Sequence, residues 1–193
     1  YSLTARMAAQ AESFGALRKA DEIRSLELEG EVKTLTGASG VYQARTVILA
    51  TGASPRKLGC PGEDTFTGQG VSYCATCDGA FFAGKTVAVV GGGNTAVEDA
   101  LYLAARCEKV YLIHRRQGFR ASEAELAKLR SNPKVEFLLD AQVAEIRGDL
   151  QVESILLHST VGAPDREIPV SAVFVAVGLI PSNELFRGQL PMT

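Results

Sequence analysis

The sequence has 193 residues, 46% of them apolar and 22% charged, which is the composition of an ordinary globular protein and excludes a low-complexity or disordered chain. Its 20 basic and 22 acidic side chains give a net charge of −2, so no general attraction draws it to nucleic acid or to an anionic membrane. The longest apolar runs, Val87 to Val90 and Val173 to Val177, fall far short of the roughly 20 residues that a membrane helix needs.

In chain order, the opening Tyr1-Ser2-Leu3 has neither an initiator Met nor the basic-then-apolar order of a secretory signal, and with the ending Pro191-Met192-Thr193 it leads us to expect a fragment. Leu3, Met7, Ala11 and Phe14 stand at helical spacing, which predicts a helix over 2–14 with one face packed on a sheet. Residues 17–49 turn to alternating and β-branched side chains broken by Gly30, Gly37 and Gly40, the pattern of a strand meander. The stretch 53–70, with Pro55, Pro61 and four glycines, reads as a linker with a domain boundary near Leu58. Next come a buried strand at 86–90, a helix at 95–106 and a second strand at 110–113, one βαβ unit whose right-handed crossover makes a parallel sheet. A polar helix at 122–130 and strands near 135–138, 141–147, 152–158 and 172–177 complete a parallel core with an antiparallel part.

Three groups of residues carry chemistry. Gly91-Gly92-Gly93-Asn94-Thr95-Ala96 is a GxGxxA turn between strand and helix. There the glycines allow a tight turn and close backbone approach to a pyrophosphate, Ala96 lets helix pack on strand, and the helix N-terminus faces the phosphates. A glycine string by itself is only a tight turn, and its place in this frame is what points to a nucleotide. After the second strand an NAD enzyme presents an acidic residue about 20 residues beyond the glycines, whereas this sequence presents His114-Arg115-Arg116 and then Arg120. Guanidinium forks bind a phosphate and a carboxylate repels it, so the arrangement favours the 2′-phosphate of NADPH; the plain alternative is a solvated basic run.

Cys74-Ala75-Thr76-Cys77-Asp78-Gly79 brings two thiols close enough to cycle between dithiol and disulfide, a helix start beside them would lower a thiol pKa, and Asp78 is a candidate proton donor or acceptor. The competing readings are half of a zinc site, for which Cys60, Cys107, His114 and His158 supply no second ligand pair at zinc spacing, and a pair of inert buried cysteines. We therefore expect no metal. Four cysteines are too few for a disulfide scaffold, which points to a reducing compartment.

With CATCDG, GGGNTA and HRRxxxR in this order, the sequence resembles the low-molecular-weight bacterial-type thioredoxin reductases along essentially its whole length. The resemblance implies an α/β, Rossmann-like flavoprotein fold of two dinucleotide-binding domains, with 1–58 part of the FAD domain, 59–178 the NADPH domain carrying the CxxC, and 179–193 the return into the FAD domain. It implies FAD and NADPH as cofactors, a thioredoxin or thioredoxin-like partner, a cytoplasmic homodimer, and no nucleic-acid or membrane partner. Carried over by position, Cys77 faces the flavin, Cys74 exchanges with the partner and Asp78 is the acid-base residue. Gly91, Gly92, Gly93, Asn94, Thr95, Glu98, His114, Arg115, Arg116 and Arg120 hold NADPH, while Ala50, Thr51 and Gly52 touch FAD and Gly178 marks the second linker in the cofactor-binding set. The family's N-terminal FAD-binding GxGxxG turn and its GD-containing C-terminal segment do not occur in these 193 residues. The rival within the class is the flavoprotein component of an alkyl hydroperoxide reductase, whose relatives generally lack the HRR set and use NADH. The rival outside it is an isolated NADPH-binding module with a silent cysteine pair.

Overall fold

In this computed structural model, which describes residues 2–191, helix α1 (Ser2–Ser13) precedes a three-stranded antiparallel meander of β1 (Ile23–Glu27), β2 (Lys33–Gly37) and β3 (Val41–Ala44). Together with residues 181–191 these make one unit, and residues 53–180 make a second. Cross-strand pairing of Leu26 with Leu35 and of Leu35 with Tyr42 sets the meander's register, and the Gln189 side chain ties the returning segment to it by bonding both the Leu28 N–H and the Leu26 carbonyl at 2.8 Å.

Two expectations for this unit change. The helix forms where its period predicts, but Leu3, Met7 and Phe14 on its expected packing face are 67%, 60% and 86% exposed. Residues 47–49 form no strand, and Ile48 is 93% exposed, because an apolar run becomes a strand only when neighbouring strands supply its ladder.

The second unit opens with β4 (Ala53–Pro55), a linking stretch and β5 (Val71–Ser72), followed by the one-turn helix α2 (Ala75–Asp78) and a 3₁₀ turn at Gly79–Phe82. Then come β6 (Thr86–Val90), α3 (Asn94–Ala104), β7 (Lys109–His114), α4 (Glu123–Arg130), β8 (Val135–Leu139), β9 (Ala141–Gly148), β10 (Val152–Ser159), β11 (Arg166–Pro169), β12 (Ala172–Val175) and β13 (Leu179–Pro181). Five strands form a parallel sheet in the order β5-β12-β6-β7-β8, and β9, β10 and β11 form an antiparallel sheet; β4 pairs with β13.

The period of two along the parallel strands divides the core in two. Val87, Val89, Val110, Leu112, Ala172 and Phe174 point toward α3 and α4, meeting Val97, Leu103 and Leu129. Ala88, Val90, Ile113, Val173 and Val175 point the other way and meet Ile146, Val152, Ile155 and Leu157 of the antiparallel sheet. A sheet covered on both faces requires continuous apolar runs, and Thr86–Val90 is one. Helix α4 carries Glu123 and Glu125 in its first turn and Lys128 and Arg130 in its last, charges that oppose the helix dipole. Strands β4, β5, β11 and β13 are absent from the expected set, because runs of two to four residues carry too few alternations to register as a pattern.

Leu103, fully buried in α3, reports on the helix side of this core. Leu103→Ala should destabilise the second unit by about 2–5 kcal/mol, read as a lowered urea midpoint followed by far-ultraviolet circular dichroism; a cost near zero would mean that this face is not packed as described.

Candidate functional site

The passage from β6 to α3 runs through three glycines with different neighbours. A Cβ on Gly91 would lie 2.3 Å from the Ala176 carbonyl oxygen and 2.8 Å from the Ala96 methyl, and one on Gly92 would lie 2.2 Å from Cε1 of His114. Neither position accepts a side chain. Gly93 has no atom within 4 Å of its missing Cβ, so its bare backbone faces open space at the N-terminus of an 11-residue helix, whose first amides have no intrahelical partner. The turn is pinned to the end of β7 by the Gly91 N–H donating to the Ile113 carbonyl at 3.0 Å, and to the segment after β7 by the Arg120 N–H donating to the Gly92 carbonyl at 2.7 Å. His114 closes the floor, its Nε2–H donating to the Gly118 carbonyl at 3.1 Å and its ring 5.0 Å from that of Phe119. Burial holds the imidazole below the ordinary histidine range, and Arg115 and Arg116 push it the same way.

Above this turn opens a cavity of about 580 Å³ within the second unit. Gly91, Gly92, Gly93, Thr95, His114, Arg115, Arg116, Arg120 and Gly178 all line it, as does a wall absent from the sequence expectations, Arg56-Lys57-Leu58. The Arg56 N–H donates to the Gly178 carbonyl at 2.9 Å, which fixes that wall to the rim. Five lining residues are Arg or Lys and none is Asp or Glu, although the whole chain is net acidic. Among the described residues Lys57 pairs with Asp64 at 2.5 Å, while the guanidinium groups of Arg56, Arg115, Arg116 and Arg120 make no ion pair. Cations without counter-charge around a backbone-lined helix start fit a ligand bearing several phosphates.

Two expected nucleotide residues lie outside the cavity lining. Asn94 instead uses its Oδ1 to accept the Ser122 N–H at 3.0 Å, which ties the start of α3 to the start of α4. Glu98 is exposed on α3; beside it, burial pushes the Asp99 carboxyl up to about 6, with the Glu98 charge adding to the shift.

Cys74 and Cys77 are joined by a disulfide, with their Cα atoms 5.3 Å apart. Cys74 caps α2, its Sγ accepting the Cys77 N–H at 3.2 Å. Asp78 stands just behind, where its Oδ2 accepts from the Ser72 hydroxyl at 2.6 Å while the same Ser72 oxygen accepts the Cys74 N–H at 3.1 Å. Gly79 then lies bare against α3, where a Cβ would meet the Leu103 side chain at 2.8 Å. The disulfide segment thus packs near the C-terminal end of α3 and the glycine turn at its N-terminal end, about 14 Å apart along the axis. Neither cysteine lines the cavity. Ala50, Thr51 and Gly52 lie in the first unit as exposed irregular backbone, with no atom within 4 Å of the missing Cβ of Gly52. Cys60 is half-buried and Cys107 buried, and burial raises the pKa of both thiols, Cys60 to about 11. Among the described residues no group of three or more His, Cys, Asp or Glu side chains could hold a metal ion, and no helix is long and apolar enough to cross a membrane.

With two histidines in the chain, a proton NMR titration can follow His114 directly. Its midpoint should fall below 6.5, and saturating NADP+ should raise it, because a bound anion favours imidazolium. Gly92→Ala should displace the ring and abolish that response. A midpoint that ignores the nucleotide would remove His114 from the binding floor.

A family model described as pyridine nucleotide-disulphide oxidoreductase matches residues 9–193. A thioredoxin reductase of Streptomyces coelicolor is 43% identical over 187 residues, covering 96% of this chain and 58% of that protein. A glucosaminate ammonia-lyase of Pseudomonas fluorescens is 45% identical over 195 residues, covering 99% of this chain and 61% of that protein. Among solved structures, thioredoxin reductase of Lactococcus lactis matches with a TM-score of 0.81 at 34% identity, over 96% of this chain and 62% of that one. The chain therefore spans about three fifths of the length of these relatives. With its Rossmann-like α/β fold, the chain belongs to the pyridine nucleotide-disulphide oxidoreductase family.

Proposed function

We propose that this chain carries the NADPH-binding and disulfide-bearing part of an FAD-containing, NADPH-dependent thioredoxin-disulfide reductase. One observation carries the reading: a Cys74–Cys77 disulfide lies in the same unit as a cavity lined by five cations and a helix start. A relative of similar identity bears the name of an ammonia-lyase, so the reading rests on these side chains and not on likeness alone.

When bound, NADPH supplies a hydride and FAD relays its two electrons, while the disulfide takes up two protons to become a dithiol. Gly93 and the first amides of α3 receive the pyrophosphate, and Arg115, Arg116 and Arg120 the 2′-phosphate. The separation of the cysteines from the cavity lining supports a relay in place of direct transfer. Asp78, held by Ser72, is assigned the proton transfer. In the proposed division of labour Cys77 faces the flavin and Cys74 meets the partner. Cys77 is exposed and Cys74 half-buried in this chain, so that division requires the flavin to cover Cys77. By resemblance, residues 59–178 form the NADPH domain, residues 1–58 and 179–193 belong to the FAD domain, and the open backbone of Ala50, Thr51 and Gly52 borders FAD. The parent enzyme is proposed as a cytoplasmic homodimer, on the same resemblance.

Nucleotide choice is tested by replacing Arg115 and Arg116 with Gln. NADPH affinity should fall by roughly 2–4 kcal/mol, from charged hydrogen bonds of about 1.5–3 each with some overlap, and NADH affinity should hardly change. Equal losses for both nucleotides would overturn the assignment to the 2′-phosphate.

Redox function is tested with the chemically reduced chain, whose dithiol should reduce the disulfide of a thioredoxin-like protein faster than a free peptide of the same CATC sequence does. In the enzyme restored to full length with FAD covering Cys77, Cys77→Ser should accumulate the mixed disulfide with the partner and Cys74→Ser should form none. If the folded chain merely matches the peptide, the pair is structural and the redox reading fails.

A further inference from the structure

The most buried carboxylate outside the parts already assigned is Glu63, 2% exposed, in the Pro61-Gly62-Glu63 turn. Three donors from two separate segments converge on it. The Leu58 N–H donates to Oε1 at 2.8 Å, the Gly59 N–H to Oε2 at 2.7 Å, and the Tyr73 hydroxyl to Oε1 at 2.9 Å. A carboxylate satisfies such a set because it only accepts, whereas a glutamine would set an N–H against one of those donors.

The two segments are the ones that matter to the site. Leu58 ends the Arg56-Lys57-Leu58 wall of the cavity, and Tyr73 stands between Ser72 of β5 and Cys74. The turn that carries Glu63 is itself fixed to β9. The Ile146 N–H donates to the Pro61 carbonyl at 2.9 Å, and Gly62 lies so near that a Cβ would stand 2.0 Å from the Ile146 carbonyl oxygen. Farther along the same strand, Ala141, Gln142 and Val143 line the cavity. Burial and the bond to Glu63 together push the Tyr73 hydroxyl up to about 12, so that donor keeps its proton throughout the working pH range.

We propose that Glu63 is a positioning residue of the cleft, its carboxylate clamping the cation-bearing Arg56–Leu58 wall to β9 and to the strand that leads into Cys74. The inference rests on the reading of the cavity as a nucleotide cleft and adds to it the part that holds one wall in place. Loss of the clamp leaves Arg56 tied to Gly178 by its own amide but its wall anchored at one end only, so the guanidinium is held less firmly in the cleft.

A double-mutant cycle in the full 193-residue chain tests this, using NADP+ titrations at a temperature where circular dichroism shows each variant folded. Glu63→Gln should weaken NADP+ about tenfold, the scale of one charge-assisted hydrogen bond. Arg56→Ala should also cost about tenfold in the otherwise native chain, but less than about twofold when Glu63 is already Gln, since the two changes disable one contact. Tyr73→Phe removes a single donor and keeps the test open if Glu63→Gln does not fold. It should weaken NADP+ about threefold and likewise shrink the cost of Arg56→Ala. A purely structural role for Glu63 would lower the unfolding temperature but leave the cost of Arg56→Ala undiminished, and that additivity overturns the inference alone. Absence of NADP+ binding by the native chain overturns the nucleotide cleft, and the inference with it.

Discussion

Burial of strand β6 on both faces is the constraint from which the larger unit follows. Val87 and Val89 serve the helices, Ala88 and Val90 serve the antiparallel sheet, and the strand has no free face on which to vary. Where it ends, the covering layers are still close, so the backbone at Gly91 and Gly92 passes between the Ala176 carbonyl, the Ala96 methyl and the His114 ring with no room for a side chain. The chain then enters α3 with its first amides aimed away from the core, a placement that comes from packing and serves binding. The parallel pairing of β6 with β7 brings the basic run after β7 to the same edge, as the switch-point rule for open α/β sheets requires.

Helix α3 then acts as a rigid spacer. At one end it presents the glycine turn and at the other it supports the disulfide segment through Leu103 and Gly79. Two chemically different features, one electrostatic and one redox, are thereby held at a fixed separation by a single element without sharing a cavity.

What could be read in the sequence was what local chemistry marks. The βαβ unit shows because its strand is long and apolar, its turn is made of glycine and its helix is periodic; the CATCDG and HRRxxxR runs show because their residue types are improbable together without a task. Arg56 and Lys57 sit in a stretch rich in proline and glycine that reads as linker, and only the fold of the chain brings them to the cavity. Glu63 looks like any surface acid until the Leu58 and Gly59 amides are seen to turn back on it. Asn94, which the family resemblance places at the nucleotide, also accepts the Ser122 amide and so joins two helices, a bond that no local pattern marks. The apolar face of α1 and the run at 47–49 were legible as patterns but not as packing, because a period predicts a face and says nothing of what covers it.

The lack of any carboxylate in the cavity lining has a consequence for how this protein meets its solvent. Four guanidinium groups gathered without paired carboxylates repel one another, so dissolved salt should act in opposite senses on two properties, steadying the unliganded fold while loosening its hold on a phosphorylated ligand. Inorganic phosphate joins both effects at once, since it screens the guanidinium groups and also competes for them. A phosphate buffer would therefore report a sturdier protein with a poorer appetite for nucleotide than a zwitterionic buffer at the same pH.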